Sequence, residues 1–159
     1  NFNTLNGKNK TFLNGEDVEK LIRSNEVSNK VSSYAEVKKI REFLISKQRL
    51  FGLNKRVVMD GRDIGTVVFP RAECKFFFKS DIKISADRRH KEIIQSGSAT
   101  TYEDVLLEVS KRDKTDTKRI YSPLKKADDS IEIDVSNKSV NQIFNDLVLI
   151  IDNKIKQTD

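Results

Sequence analysis

The sequence predicts an α/β fold in which a parallel sheet is flanked by helices, with a small β-rich segment at the amino terminus. Three observations lead there. From residue 55 onward, short β-branched or aromatic runs alternate with helical patterning, as in chains whose parallel strands are joined by crossover helices. The helical stretches open at capping residues, which gives them definite starts. The first fifteen residues instead carry two Asn-Gly pairs, Asn6-Gly7 and Asn14-Gly15, which are strong short-range turn signals.

Taken in order, residues 1 to 13 place apolar side chains on both sides of Asn6-Gly7, as a hairpin would, and Asn14-Gly15 then turns the chain into helical patterning. Ser24 is positioned to cap a helix whose face carries Val27, Val31 and Tyr34; a second face follows with Ile40, Phe43, Leu44, Lys47, Leu50 and Phe51. Residues 55 to 59 (KRVVM) and 75 to 79 (KFFFK) have the composition of short buried strands. Between them Thr66 to Phe69, closed by Pro70, lies too near both strands to hold a helix of its own. Asp81 caps a helix over about 82 to 96, ended by Gly97. Thr101 with Asp104 forms a capping-box pattern for a helix reaching about Thr117. Residues 130 to 134 (SIEID) are the third predicted strand. Ser139 caps a last amphipathic helix carrying Val140, Ile143, Leu147, Ile150, Ile151 and Ile155. There is no internal repeat and no low-complexity linker.

Composition narrows the function. The 159 residues are 36% hydrophobic and 34% charged, a folded, charge-rich chain of single-domain size. No apolar run approaches the ~20 residues a membrane-crossing helix needs, and no secretory leader opens the sequence, so the expected location is cytoplasmic. Cys74 and His90 are the sole cysteine and histidine; an intrachain disulfide is excluded, a zinc site has no ligand set, and neither residue is assigned a role. Thirty Lys and Arg against twenty-four Asp and Glu leave a net charge of +6, which implies an anionic partner. Charge alone does not choose between a nucleic acid and a small phosphorylated ligand.

The residues richest in chemistry are 58 to 72, VMDGRDIGTVVFPRA. A strand ending in Asp-Gly-Arg-Asp would set two carboxylates and a guanidinium at the carboxyl edge of the sheet, where open α/β folds bind ligands. An ordinary charged turn punctuated by Gly61 and Gly65 is the competing reading. A second candidate is KRDKTDTKR at 111 to 119, where Arg112, Asp116 and Arg119 follow an i, i+4, i+7 pattern on one helical side, against the alternative of a solvated charge run.

DGRDIGTVVFP, followed by KFFF and a helix containing Arg88-Arg89, resembles the central signature of bacterial cytidylate kinases. NGEDV, IRSNEVSNKVS, IREFL, QR, RDKTD and Arg119 fall in that family's order and approximate spacing, so the resemblance covers nearly the whole chain. It implies a P-loop nucleoside-monophosphate-kinase-like α/β fold and transfer of the γ-phosphoryl of ATP to CMP or dCMP, with Mg2+ carried by ATP. Residues 1 to 54 would hold the CMP-binding insert and its following helices, and 55 to 159 the remainder of the kinase core, with the lid at about 88 to 120. Ser32, Arg41 and Asp63 would contact cytosine, Arg62 and Arg119 the CMP phosphate, and Arg112 and Asp116 the ribose. Arg112 and Arg119 would also serve catalysis, and Arg88 would lie near ATP, although helix packing explains Ser32 and a surface ion pair explains Arg88 nearly as well.

Ser32 and Arg41 are nine residues apart, on opposite faces of one straight helix, so the helix is expected to break near 33 to 37. The family often has a proline there and this chain has none. It also has Thr115 and Thr117 where the family often has further basic residues.

The resemblance also implies a phosphate-binding Gly-x-x-x-x-Gly-Lys-Ser/Thr loop between a strand and a helix, and these 159 residues contain none. The sequence reading is therefore of a kinase chain that starts inside its domain, lacks the central strand of the sheet and is inactive alone. A complete enzyme is expected to be monomeric. The alternative is a basic nucleic-acid-binding or non-catalytic nucleotide-sensing protein on the same fold; nucleic acid is disfavoured because the nine Phe sit in apolar runs rather than interleaved with basic residues.

Overall fold

A computed structural model describes residues 2–5, 8–54 and 56–157. Strand β1 (Phe2–Leu5) pairs antiparallel with β2 (Lys8–Leu13), Phe2 opposite Thr11; the turn expected at Asn6-Gly7 lies outside the described residues. Asn14 and Gly15 both have positive φ, 51° and 89°, the two-residue turn that favours Asn-Gly. Contrary to the expectation, that turn leads into a further short strand, β3 (Glu16–Asp17), before any helix begins. The Asn-Gly signal fixes the kind of turn, and β2 already offered its free edge to the next two residues.

Helix α1 (Asn25–Glu36) starts at Ser24, whose side chain accepts from the Val27 amide, and α2 (Lys38–Phe51) follows after one extended residue. Val37, at φ −73° and ψ 115°, makes the expected break without a proline.

The strand expected at 55 to 59 is a correction: residue 55 lies outside the described residues, 56 to 59 form no strand, and Val58 is fully exposed. A β-branched run becomes a strand only when a neighbour takes its amides and carbonyls. Here β4 (Phe76–Lys79) pairs instead with β5 (Ile131–Asp134), parallel, Phe76 opposite Ile131. Three parallel strands were expected; two are paired. Residues Ile64–Val68, read as too cramped for a helix, form one π-helical turn. The Asp63 carbonyl accepts from the amides of Thr66, Val67 and Val68 at 3.3, 2.8 and 3.3 Å, so the TVV run coils around it instead of extending.

The remaining helices begin where the sequence places their caps. They are α3 (Ile82–Gln95) behind Asp81, α4 (Tyr102–Lys118) behind Thr101, and α5 (Val140–Lys156) behind Ser139 in a full capping box with Gln142. Gly97, at φ 84°, stops the chain after α3. The core gathers Ala86 and Ile93 of α3, Val105 of α4, Ile133 of β5, Val135 and Val68. The DGRD segment is held between α2 and α4.

Candidate functional site

The α1–α2 break and the π turn bring a pair of charges together in the interior. Arg41, in the first turn of α2, donates from Nη2 to the Asp63 carboxylate, and both residues are buried. Asp63 sits at the head of the π turn, its backbone fixed by the three amides it accepts. The other end of that turn is tied to α2 as well, Arg49 donating to the carbonyls of Val67 and Val68 at 2.8 and 3.1 Å. Helix α2 therefore clamps the loop at two points, and the Arg41–Asp63 geometry is fixed before any ligand arrives.

Facing this pair is a second charged group built on α4. Asp116 is 2% exposed and draws three guanidinia: Arg62 Nε at 2.8 Å, Arg119 Nη1 at 3.6 Å and Arg112 Nε at 3.7 Å. Arg119 is the residue just past α4, extended at φ −61° and ψ 144°, which turns its side chain inward. Burial lowers its pKa from the ordinary arginine value, and the Asp116 carboxylate opposes that shift. Nη2 of Arg119 is buried without a partner, as are Nε of Arg41 and Oε1 of Gln48.

One cavity of about 170 Å³ collects these groups. Ser32, Arg41, Arg62, Asp63, Arg112, Asp116 and Arg119 all line it, beside Val31, Ala35, Gln48, Gly61 and Ile64. The seven residues predicted to hold a nucleoside monophosphate come from α1, α2, the DGRD loop and α4, and meet around this single space. Four guanidinia against two carboxylates give it a positive balance suited to an anion. Arg62 and Arg112 also face a neighbouring cleft of about 260 Å³ with Ser85, Arg89 and Glu108, so they stand in the wall between two cavities.

Arg88 lies elsewhere: its Nη2 donates to the carbonyls of Val135, Ser136 and Lys138, at 2.8 to 3.2 Å, where β5 hands over to α5. Gln48 was not picked out by the sequence reading; its only signal there was its place in the QR pair seven residues after Arg41. Among the described residues no group of three or more His, Cys, Asp or Glu could hold a metal ion. Gly61 and Gly65 are not followed by Lys-Ser or Lys-Thr, and a Cβ on Gly65 would press on the Lys75 side chain at 3.2 Å.

Comparison with known proteins gives the family. The family model described as cytidylate kinase matches residues 2–153. A cytidylate kinase of Flavobacterium johnsoniae is 51% identical over 156 residues, 94% of this chain and 68% of the relative. Those of a Geobacillus species and of Bacillus subtilis are 44% and 40% identical, each over 91% of this chain and 64% and 65% of their own length. The chain thus spans about two thirds of the length of the curated relatives it matches. With a family match across nearly all of its residues and half of them identical to a relative's, the chain belongs to the cytidylate kinase family.

Proposed function

We propose that this chain binds the nucleoside monophosphate of a phosphotransferase that moves the γ-phosphoryl group of ATP onto CMP or dCMP. The observation that carries the reading is the single cavity in which residues spread from position 32 to 119 converge. Its Arg41–Asp63 end offers donors and acceptors to a base, and its Arg62–Asp116–Arg112–Arg119 end offers cations to a phosphate. Cytosine presents an amine beside two acceptors. Asp63 and Ser32 accept from the amine, and Arg41 donates to the ring nitrogen and carbonyl.

On this reading Asp116 and Arg112 meet the ribose, while Arg62 and Arg119 meet the phosphate. Phosphoryl transfer depends on positioning and on cations around developing charge, and Arg112 and Arg119 serve that work, Arg112 being exposed, with Arg62, to two adjoining cavities. Residues 1 to 54 serve as the CMP-binding insert with its helices, and 88 to 120 as the lid. An ATP contact by Arg88 would have to use nitrogens other than Nη2. Mg2+ would arrive with ATP. Without a Gly-x-x-x-x-Gly-Lys-Ser/Thr segment, the 159 residues by themselves do not turn CMP over, and the active enzyme is a cytoplasmic monomer.

Calorimetric titration of CMP, UMP and single-stranded oligonucleotide into the chain, each at low and high salt, tests the reading. CMP binding that exceeds UMP binding supports it. An affinity confined to the oligonucleotide and falling steeply with salt would instead favour the nucleic-acid alternative. Steady ADP release from ATP, Mg2+ and CMP would overturn the proposed inactivity of these residues alone.

A further inference from the structure

Asp63 heads a turn that needs support from outside itself. Ile64–Val68 make a single π-helical turn, a rare conformation with poor intrinsic stability. At its head the Asp63 carbonyl takes the amides of Val67 and Val68 at 2.8 and 3.3 Å, together with that of Thr66. The carbonyls of the same two valines, at the tail, are taken by Arg49: Nη2 donates to Val67 at 2.8 Å and Nε to Val68 at 3.1 Å. One guanidinium thus satisfies two acceptors that the end of a helical turn leaves without partners, and its charge complements that carbonyl end. Val67 and Val68 are held from both sides, by Asp63 through their amides and by Arg49 through their carbonyls.

Arg49 stands eight residues after Arg41 on α2, about 12 Å along the helix axis. The same helix therefore grips the Asp63 carboxylate with one arginine and the tail of Asp63's own turn with another. A turn tied only at its head could pivot about the Arg41 bond. Tied at both ends, it presents the carboxylate in one orientation, and a planar guanidinium making two bonds sets direction as well as distance. Arg49 does not line the cavity, so whatever it contributes there runs through the turn.

We infer that Arg49 is a positioning residue for base recognition, which orients the Asp63 carboxylate by holding the carbonyls of Val67 and Val68. This rests on the reading of Asp63 as an acceptor from the cytosine amine. A carboxylate swung out of line loses its bond to that amine and also its power to repel a carbonyl in the same place.

The test compares Arg49→Met and Arg49→Lys with the unaltered chain. Methionine keeps an unbranched stem and removes both donors; lysine keeps a charge that can reach one carbonyl. CMP, UMP and inorganic phosphate are titrated into each by calorimetry, in sucrose to favour the folded state, with urea unfolding alongside. A residue that only stabilises the fold would, when lost, lower the folded fraction and weaken all three ligands by one factor, leaving the CMP-to-UMP ratio untouched. Arg49→Met is expected to lower that ratio about tenfold, the effect of one misplaced hydrogen bond, while phosphate affinity corrected for folded fraction stays unchanged. Arg49→Lys is expected to recover part of the ratio. If the methionine chain fails to fold even in sucrose, Arg49→Gln, which retains neutral donors only, is judged by the same ratio. CMP, UMP and phosphate weakened by a common factor would reduce Arg49 to a prop of the fold and overturn the inference, as would a lysine chain with a lower ratio than the methionine one. If the unaltered chain binds phosphate but shows no preference for CMP, the cytidine reading itself fails and takes this inference with it. If it prefers CMP and Arg49→Met keeps the full ratio, only the role of Arg49 falls.

Discussion

Removing the Asp63 side chain would leave the Arg41 guanidinium buried without its counter-charge, at a cost of ~3–5 kcal/mol that would blur any effect on ligand choice. Asparagine is the better probe: it keeps one acceptor, and its amide can turn a donor toward a uracil carbonyl. Asp63→Asn is therefore expected to cut the preference for CMP over UMP at least about tenfold, whereas Arg62→Gln, at the proposed phosphate end, is expected to weaken both nucleotides alike. An Asp63→Asn chain that folds and keeps its full cytosine preference would remove Asp63 from base recognition. Asp116 makes a second, separate case. Arg62 and Arg112 are 43% and 45% exposed, so their bonds to it contribute only ~0–1 kcal/mol each, but Arg119 is 3% exposed and, among the described residues, pairs with no other acid. Asp116→Ala is expected to lose ~3–5 kcal/mol in urea unfolding, mostly by stranding Arg119, and Asp116→Asn clearly less. Equal losses would mean that the charge of Asp116 is not what matters. Spacing placed Arg112, Asp116 and Arg119 on one helical side, whereas the pairing of Arg41 with Asp63 in one site was implied only by the family resemblance. Gln48 was given no role, since nothing in a neutral amide on a charged helix says that its oxygen will be buried and unmatched.

At the scale of the elements, the sequence announced helix starts well because a cap acts over three or four residues: Ser24, Asp81, Thr101 and Ser139 each accept from an amide of the first turn. It announced the strand at 55 to 59 wrongly because strand formation depends on a partner far along the chain, and composition reports only a preference for pleated, half-buried surroundings. The π turn was hidden for a related reason. Thr66-Val67-Val68 reads as extended, yet the Asp63 carbonyl collects its three amides. The α1–α2 break shows local and tertiary demands agreeing. Val37 is already extended, as a residue before proline must be, and the amide of residue 38 is a first-turn donor that needs no helical partner. Lys38→Pro is thus expected to fold, with stability within ~1 kcal/mol of the parent. Stiffening of the unfolded chain, worth ~0.4–1 kcal/mol, offsets the loss of the exposed Lys38–Glu42 pair and of the Lys38 ammonium 5.6 Å from the Tyr121 ring. Ile45→Pro, in mid-helix, should cost ~3 kcal/mol or more. Urea unfolding of both variants is the check, and a Lys38→Pro chain as unstable as Ile45→Pro would mean that the break at Val37 is not the resting geometry.

For the whole molecule, the balance between charged site and apolar core decides how the chain behaves without ligand. Val58, Leu53, Phe78, Phe144, Leu149 and Val140 are more than half exposed, no residue of α5 is buried, and among the described residues the parallel sheet has two strands. Apolar surface on this scale binds hydrophobic dyes and promotes association, and a two-stranded ladder adds little stability of its own. Meanwhile Arg41, Asp63, Asp116 and Arg119 are buried around one cavity, and Nε of Arg41 and Nη2 of Arg119 lack a hydrogen-bond partner. The free chain should therefore be marginally stable, below the ~5–15 kcal/mol usual for a domain, with marked dye fluorescence and light scattering that rises with concentration. A ligand that binds only the folded site adds about RT ln(1 + [L]/Kd), ~2.7 kcal/mol at a hundred times Kd, which is a large share of so small a stability. CMP at that excess is expected to raise the urea midpoint of unfolding and to slow association, and UMP at the same concentration to do so less. Dye binding should fall only in part, because the exposed apolar residues of α5 and of positions 53 and 58 lie outside the cavity. A midpoint that CMP leaves unmoved, in a chain that calorimetry shows to be saturated, would mean that the unfolded chain binds the nucleotide equally well and that the converged cavity is not what holds it.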